Sequence, residues 1–122
     1  MNKITILPFT VTALAASGSW TSRIIDLAKL SNENKLSLQV NVSLLGTVTI
    51  DLLASNDGVN FVDTATDVLA GATVGGGPGS DGKYAPIIIT TAMLKYCRYF
   101  KIRVTETGAA QTVTVELSLF VQ

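Results

Sequence analysis

The strongest constraint on the fold is a two-residue alternation of apolar and polar side chains in four separate segments. In "LSLQVNV" (36–42), leucine or valine occupies every second position, with Ser, Gln and Asn between them. The same alternation runs through "TVTIDLLA" (47–54), "YFKIRVTE" (99–106) and "TVTVELSLFVQ" (112–122). Successive side chains of a β-strand point to opposite faces, so this spacing predicts strands that each bury one face.

The alternation also predicts which residues point inward. One-sided burial of this kind is typical of two antiparallel sheets that pack face to face. The predicted inward residues are Leu36, Leu38, Val40 and Val42; Val48, Ile50 and Leu52; Phe100, Ile102 and Val104; and Val113, Val115, Leu117, Leu119 and Val121. These positions are expected to form most of the core.

The rest of the chain reads as shorter strands and turns. Further strands are predicted at 21–28, 60–64 and 84–90, and one helical turn at 91–96. Asn, Asp and Gly in "SNDG" (55–58) tolerate the backbone angles of a tight turn. The pattern gives roughly eight or nine short strands and no long helix. The predicted fold class is all-β, an antiparallel β-sandwich of jelly-roll type.

The first twenty residues resemble a secretory signal, but the sequence favours retained structure. A basic residue precedes a mostly apolar stretch, and "ALAAS" is similar to a cleavage site. Threonines and Pro8 interrupt that stretch, and the apolar residues on either side of Pro8 alternate as in a strand. We therefore interpret residues 1–16 as an N-terminal strand or arm, with no signal peptide cleaved, and residues 17–122 as the β-sandwich domain. The sequence leaves open whether the arm pairs with its own chain or with another.

Charge and composition exclude several classes of function. Nine basic and nine acidic residues cancel, so no strong field attracts nucleic acid or an anionic membrane. The chain has no histidine, the commonest general base and metal ligand. Charged residues make up 15% of the chain, against about 25% in a typical soluble domain. Two interpretations remain: part of the surface is hidden in an assembly, or the outward strand faces are simply rich in threonine.

A glycine-rich segment imitates a phosphate-binding loop. The stretch "GPGSDGKY" (77–84) matches the pattern G-x-x-x-x-G-K-[ST] except at its last position, where Tyr84 replaces the hydroxyl residue. Such a loop needs a helix after it, because the helix N-terminus binds the phosphates. Here a β-branched segment with Pro86 follows, which indicates a strand. The match therefore does not predict a nucleotide site.

Oxygen-bearing and sulfur-bearing side chains offer weaker candidates for chemistry. Asn56, Asp57 and Asn60, with Asp63 close by, could hold calcium, but an Asx-rich turn explains the same residues. Cys97 has no histidine to activate it and is interpreted as packing. Pairs of carboxylates could hydrolyse sugars, but no pair has a distinguishing neighbourhood. We therefore predict no catalytic, cofactor or metal residues.

Four aromatic residues are the candidate interaction residues. Their rings could stack on a sugar or a base. The alternative is that they cap the ends of the sandwich. The four residues are Trp20, Tyr84, Tyr96 and Tyr99.

Two longer stretches resemble a group of virus proteins. "GTVTIDLLASNDGVNFVD" (46–63) and "YCRYFKIRVTETGAAQTVTVELSL" (96–119) resemble small structural proteins of tailed-bacteriophage virions, of the decoration or fibre-associated type. "SGSWTSRIIDLA" (17–28) is similar to the usual first strand of that group, and Phe61 stands where tryptophan is common. The resemblance implies a β-sandwich built into a particle and identifies no active site.

This resemblance gives the leading expectation for function. It implies a non-enzymatic virion protein, in capsid decoration or in a neck, tail or fibre complex, made in the host cytoplasm. Expected partners are sister copies in a symmetric homo-oligomer, such as a trimer, and other virion proteins such as the major capsid protein. We expect no cofactor, nucleic acid or membrane. The alternative is a carbohydrate- or surface-binding β-sandwich module with Trp20, Tyr84 or the glycine-rich loop at its site, and a weaker third is a small hydrolase that uses two carboxylates.

Overall fold

A computed structural model of the chain describes residues 5–14, 18–30, 35–43, 48–68, 82–83, 87–106 and 113–121. Ten strands and one short helix lie within these residues. The strands are β1 (Thr5–Leu14), β2 (Ser19–Thr21), β3 (Ile25–Asp26), β4 (Leu36–Ser43), β5 (Val48–Ser55), β6 (Val62–Asp67), β7 (Gly82–Lys83), β8 (Ile87–Ile89), β9 (Tyr99–Glu106) and β10 (Val113–Val121), and the helix is α1 (Leu27–Leu30).

The strands form two antiparallel sheets. Sheet A has the order β1-β10-β4, and both β7 and β8 pair with the free side of β4. Sheet B has the order β9-β5-β6, and both β2 and β3 pair with the free side of β9. The short segments β2 and β3 thus act as one interrupted edge strand, as do β7 and β8. The predicted all-β sandwich is confirmed, with eight strands when each interrupted strand is counted once.

The strand pairs are nested along the chain. The outermost pair is β1 with β10, and inside it lies the pair of β2 and β3 with β9. Next comes β4 with β7 and β8, and the innermost pair is β5 with β6. The chain therefore resembles one long hairpin, whose successive pairs alternate between the two sheets.

The core lies between the inner faces of the two sheets. Every predicted inward residue whose side chain the structure describes is buried, which confirms the alternation. Val42 and Val113 lie outside the described side chains. Ile25 and Leu94 are also fully buried, although the alternation did not mark them. A single apolar core therefore joins all the long strands with the segment that precedes β9.

The segment that the sequence set apart as an arm forms the edge of sheet A. β1 pairs antiparallel with β10 of the same chain, from Thr5 opposite Val121 to Leu14 opposite Val113. Pro8 has no N–H to donate, and proline in sheets is confined to edge strands such as this one. Phe9 is buried in the core. β1 is therefore part of the sandwich of its own chain.

Two local predictions need correction. The strand predicted at 21–28 is interrupted at 22–24 and ends at Asp26, whose Oδ1 accepts a hydrogen bond from the Ala28 N–H at 3.1 Å and so caps α1. The helical turn predicted at 91–96 is a non-helical turn. Its residues Lys95 and Tyr96 have φ of 56° and 55°, which lies in the left-handed region and stops a helix. None of the described residues forms a helix long and apolar enough to cross a membrane.

Candidate functional site

The four candidate aromatic residues do not form one platform. Trp20 pairs with Val104, five residues along β9 from Tyr99, which is roughly 17 Å at ~3.3 Å per strand residue. Tyr96 lies in the turn before β9 and is 77% exposed. Tyr84 lies outside the described residues.

Trp20 is engaged in joining the two sheets. It is partly buried and packs against the core. Its ring lies edge-on to Phe9 of β1, with centroids 5.8 Å apart and planes at 63°. The Arg23 guanidinium lies 4.8 Å from the Phe9 ring centre on the same flank. This contact closes the flank of the sandwich where β1 faces β2, as expected for an aromatic residue that caps the sandwich.

Tyr99 is also covered by its neighbours. A Cβ placed on Gly58 would approach the Tyr99 ring to 3.4 Å, so the backbone at Gly58 lies close against the ring. Gly58 has φ of 75°, a conformation that side chains rarely adopt. The Arg98 guanidinium lies 4.9 Å from the Tyr99 ring centre. Of the candidate aromatics that the structure describes, Tyr96 therefore presents the most accessible ring.

The residues proposed for calcium form a hydrogen-bonded turn. The Asp57 carboxylate accepts bonds from the N–H groups of Val59 and Asn60, both at 2.8 Å, and from the Asn60 side chain at 2.9 Å. The Ser55 hydroxyl donates to it at 2.8 Å. These donors, above all the Asn60 N–H, hold the pKa of Asp57 far below its usual range. Among the described residues, no group of three or more His, Cys, Asp or Glu side chains is placed to hold a metal ion.

Paired charges cover the outer face of sheet B. Arg103 of β9 donates to Asp51 of β5 at 3.1 Å and also to Asp63 of β6. The Ala65 N–H and then Arg103 lower the pKa of Asp63, and Asp51 and Asp63 raise the pKa of Arg103. Beside them, the Lys101 ammonium lies 4.4 Å from the ring centre of Phe61. Among the side chains that the structure describes on this face, Arg103, Asp51 and Asp63 are therefore paired within the chain.

The outer face of sheet A has a different character. On the described strand positions of this face Glu116 is the one ionisable side chain, and Lys35 lies at the end of the face just before β4; the other described side chains are hydroxyl, amide or apolar. None of the described residues donates a hydrogen bond to the Asn41 Oδ1 atom, which is buried there. It lies in a hollow of about 270 Å³, whose outward lining is Pro8, Thr10, Gln39, Asn41, Glu116 and Ser118.

One end of this face is apolar. Ile88 of β8 is 72% exposed and lines a groove of about 420 Å³ together with Phe120, Ser37 and Lys35. Contiguous exposed apolar surface is unusual on a protein that remains monomeric. The outer face of sheet A thus combines a polar centre, in which Glu116 is the one described carboxylate, with an end where Ile88 and Phe120 lie beside Lys35.

A second open region lies between β6 and the turn before β9. Its groove, of about 520 Å³, is lined by Ala54, Ser55, Asn56, Asp57, Asn60, Val62, Asp63, Thr64, Lys95 and Cys97. A neighbouring groove of about 600 Å³ shares Asn56 and Cys97 and adds Tyr96. The Cys97 thiol donates to the Tyr99 carbonyl at 3.0 Å, and burial raises its pKa. The thiol is therefore held as a neutral donor, which weakens it as a nucleophile.

Most of the glycine-rich segment lies outside the described residues. Its Gly82 and Lys83 form β7 and pair with Val42 and Asn41 of β4. A phosphate-binding lysine would instead stand at the start of a helix. The strand at this position agrees with the interpretation that the pattern does not mark a nucleotide site.

Comparisons with known proteins reveal the fold alone. No known family and no curated protein sequence matches the chain. Among solved structures, the PBSX exported protein XepA is similar at a TM-score of 0.52 and 15% identity, over 93% of this chain and 36% of XepA. A chain of infectious bursal disease virus, Gx strain, is similar at a TM-score of 0.50 and 12% identity, over 98% of this chain and 32% of its own length.

A third similar structure belongs to a different kind of protein. The Yersinia pseudotuberculosis-derived mitogen has a TM-score of 0.52 and 11% identity, over 100% of this chain and 88% of the mitogen. The chain spans about a third of the length of the first two proteins. At these identities the shared sandwich does not specify a function.

Proposed function

We propose that the protein is a non-enzymatic structural protein of a bacteriophage virion, which acts by packing the outer face of sheet A against neighbouring subunits. The observation that carries the proposal is the low charge of that face: Glu116 is the one ionisable side chain on its described strand positions, Lys35 lies at its end, and no described group donates to the buried Asn41 Oδ1. Interface cores are depleted in charge. A donor from a neighbouring subunit would satisfy Asn41 and remove the cost of an unpaired buried acceptor.

The strand order supports this proposal. Nested antiparallel pairs that alternate between two sheets are compatible with the proposed jelly roll, a sandwich that recurs in viral capsid proteins. The similarity to XepA and to a chain of infectious bursal disease virus agrees with this fold. The resemblance of residues 46–63 and 96–119 to tailed-bacteriophage virion proteins points in the same direction.

The chemistry of the chain favours packing over catalysis. The sequence has no histidine, and its single cysteine, Cys97, is buried and donates to a backbone carbonyl. Asp51 and Asp63 are both paired with Arg103, and Asp57 is bound by the donors of its own turn. These carboxylates have structural partners, as expected for a protein without an active site.

The proposed partners follow from the face. Sister copies would form a symmetric homo-oligomer, with a trimer as the expected form, and the same protein would contact other virion proteins such as the major capsid protein. The protein would then be located in the virion, as capsid decoration or as a neck, tail or fibre component.

Light scattering after size-exclusion chromatography tests the assembly. The expected result is a mass that is a whole multiple of the monomer mass. Gold-labelled antibody against the protein, applied to purified phage particles, tests the location and should label one class of site. A monomer at every concentration, together with unlabelled particles, would contradict the proposal.

A further inference from the structure

The groove beside β6 has an unsatisfied polar group in its wall. Thr64 is 9% exposed and lines the groove, and none of the described residues forms a hydrogen bond with its buried Oγ1 atom. A buried hydroxyl without a partner is costly, and in native proteins such groups call for an explanation. A ligand with a hydroxyl group would supply both the donor and the acceptor that Thr64 lacks.

The carboxylates around the groove already have partners. Asp57 and Asp63 line it, and so does Lys95. Arg103 pairs with Asp63 from the outer face of sheet B and is shared there with Asp51. Asp57 is bound by the donors of its own turn. Because the carboxylates are engaged in this way, the groove favours a neutral ligand over a cation or an anion.

The groove also offers the contacts that a sugar ring needs. Amide groups of Asn56 and Asn60 lie along it beside Thr64. Val62 points into it and is 68% exposed, so it can pack against the C–H face of a ring. The exposed ring of Tyr96 lines the adjoining groove, which shares Asn56. The volume of about 520 Å³ lies within the ~300–1,000 Å³ usual for small-molecule sites.

A peptide strand fits this location less well. β6 is the edge of sheet B, but its pairing with β5 shifts register between Asp51 and Leu53. Ala65 has φ of 59°, in the left-handed region. Bulged edges bend the strand and oppose the addition of another strand.

We infer that the groove between β6 and the turn before β9 binds a neutral saccharide, with Thr64 and the amides of Asn56 and Asn60 on its hydroxyls and Tyr96 stacked on a neighbouring ring. This binding goes beyond subunit packing, because the groove does not lie on the outer face of sheet A. It also relocates the site expected from the sequence, since Trp20 lies on the opposite, closed flank.

The test is a titration of the ¹⁵N-labelled protein with glucose, galactose, mannose and N-acetylglucosamine, and with a short oligosaccharide of each, followed by ¹H–¹⁵N spectra. The expected result is saturable shifts from at least one sugar, confined to the amides of residues 54–64 and 95–98. Thr64→Val should weaken the binding of that sugar roughly fivefold, which is the contribution of one neutral hydrogen bond. Its melting temperature should hold or rise, because the unpaired hydroxyl is gone.

Two further variants separate an effect on binding from an effect on folding. Tyr96→Ala alters an exposed side chain, so it should fold normally and weaken binding roughly fivefold through lost stacking. Thr49→Val, on the outer face of sheet B, is the matched control and should bind as the wild type does. The inference is overturned if no sugar moves the groove amides, if the shifts gather around Trp20, or if Thr64→Val binds with unchanged affinity.

Discussion

The outer faces of the two sheets both result from the two-residue alternation of side chains, but they differ in how their polar groups are partnered. On sheet B, Arg103 lies between Asp51 and Asp63, and Lys101 lies over Phe61. On sheet A, the polar groups are mostly neutral, and the Asn41 Oδ1 atom is buried without a partner.

This difference shows that burial and alternation determine the fold, whereas the partners of the outward side chains indicate the use of each face. A face whose charges are paired within the chain can remain exposed to water. A face with few charges and an unpaired acceptor gains stability when a neighbouring subunit covers it. Under the proposed function, sheet B is the solvent face and sheet A the contact face.

The largest expected effect comes from placing charge on the contact face. Gln39→Lys with Ser118→Lys puts two ammonium groups at neighbouring positions of β4 and β10. Charges buried without a partner at an interface cost several kcal/mol, so association should be lost. Light scattering measures the change. Thr49→Lys on sheet B is the control, and equal loss of association in both variants would break the distinction between the faces.

A smaller effect is expected from removing the central cation of sheet B. Arg103→Met keeps much of the side-chain volume but leaves Asp51 and Asp63 facing each other without a cation. We expect the free energy of unfolding to fall by about 1 kcal/mol, the scale of two partly exposed ion pairs. Urea titrations at low and high salt measure this, and the loss should shrink at high salt. A salt-independent loss would assign the effect to packing instead.

A gain in unfolding free energy, the opposite of the loss above, is expected from changing Asn41 on the outer face of sheet A. Asn41→Val removes the unpaired buried acceptor and places a β-branched residue in a strand. The monomer should gain about 0.5–1 kcal/mol of unfolding free energy while association weakens. Urea titration of this variant in the background of Gln39→Lys with Ser118→Lys separates the two effects. A destabilised monomer would show that Asn41 is satisfied within the chain.

The smallest expected effect is the dependence of the unfolding free energy on acid pH. The folded-state pKa of Asp63 is lowered, so its contribution to stability is complete above the unfolded value, about 3.9, and is lost as the pH falls through the folded value. The unfolding free energy of the wild type should therefore decline below roughly pH 4. Asp63→Asn should flatten that decline in urea titrations between neutral and acid pH. An unchanged slope of unfolding free energy against pH would show that Asp63 does not contribute to the loss of stability in acid.

The sequence predicted those parts of the fold that depend on local spacing. The inward faces of β4, β5, β9 and β10 follow directly from period-two alternation, and their described side chains are buried as expected. The strand predicted at 21–28 was wrong beyond Asp26, because that side chain caps a helical turn while it also pairs with Arg98 at 3.4 Å. The second contact is set by tertiary structure, which local spacing does not encode.

The candidate sites depended on distant partners and were harder to predict. Thr64 and Lys95 share a groove only because the chain returns after β6. Arg103 meets Asp51 and Asp63 only through the pairing of β9 with β5 and of β5 with β6. The sequence identified Tyr96 as an aromatic candidate, but its exposure, and the engagement of Trp20 and Tyr99, required the structure.

The nested pairing has a consequence for biosynthesis. β1 leaves the ribosome early, but its hydrogen-bonding partner β10 is translated only after the other strands. Until then the apolar side of β1 lacks its partner strand, and pairing between remote segments is slow and open to aggregation. Each nascent chain thus has a delay in which its first strand can join the wrong neighbour.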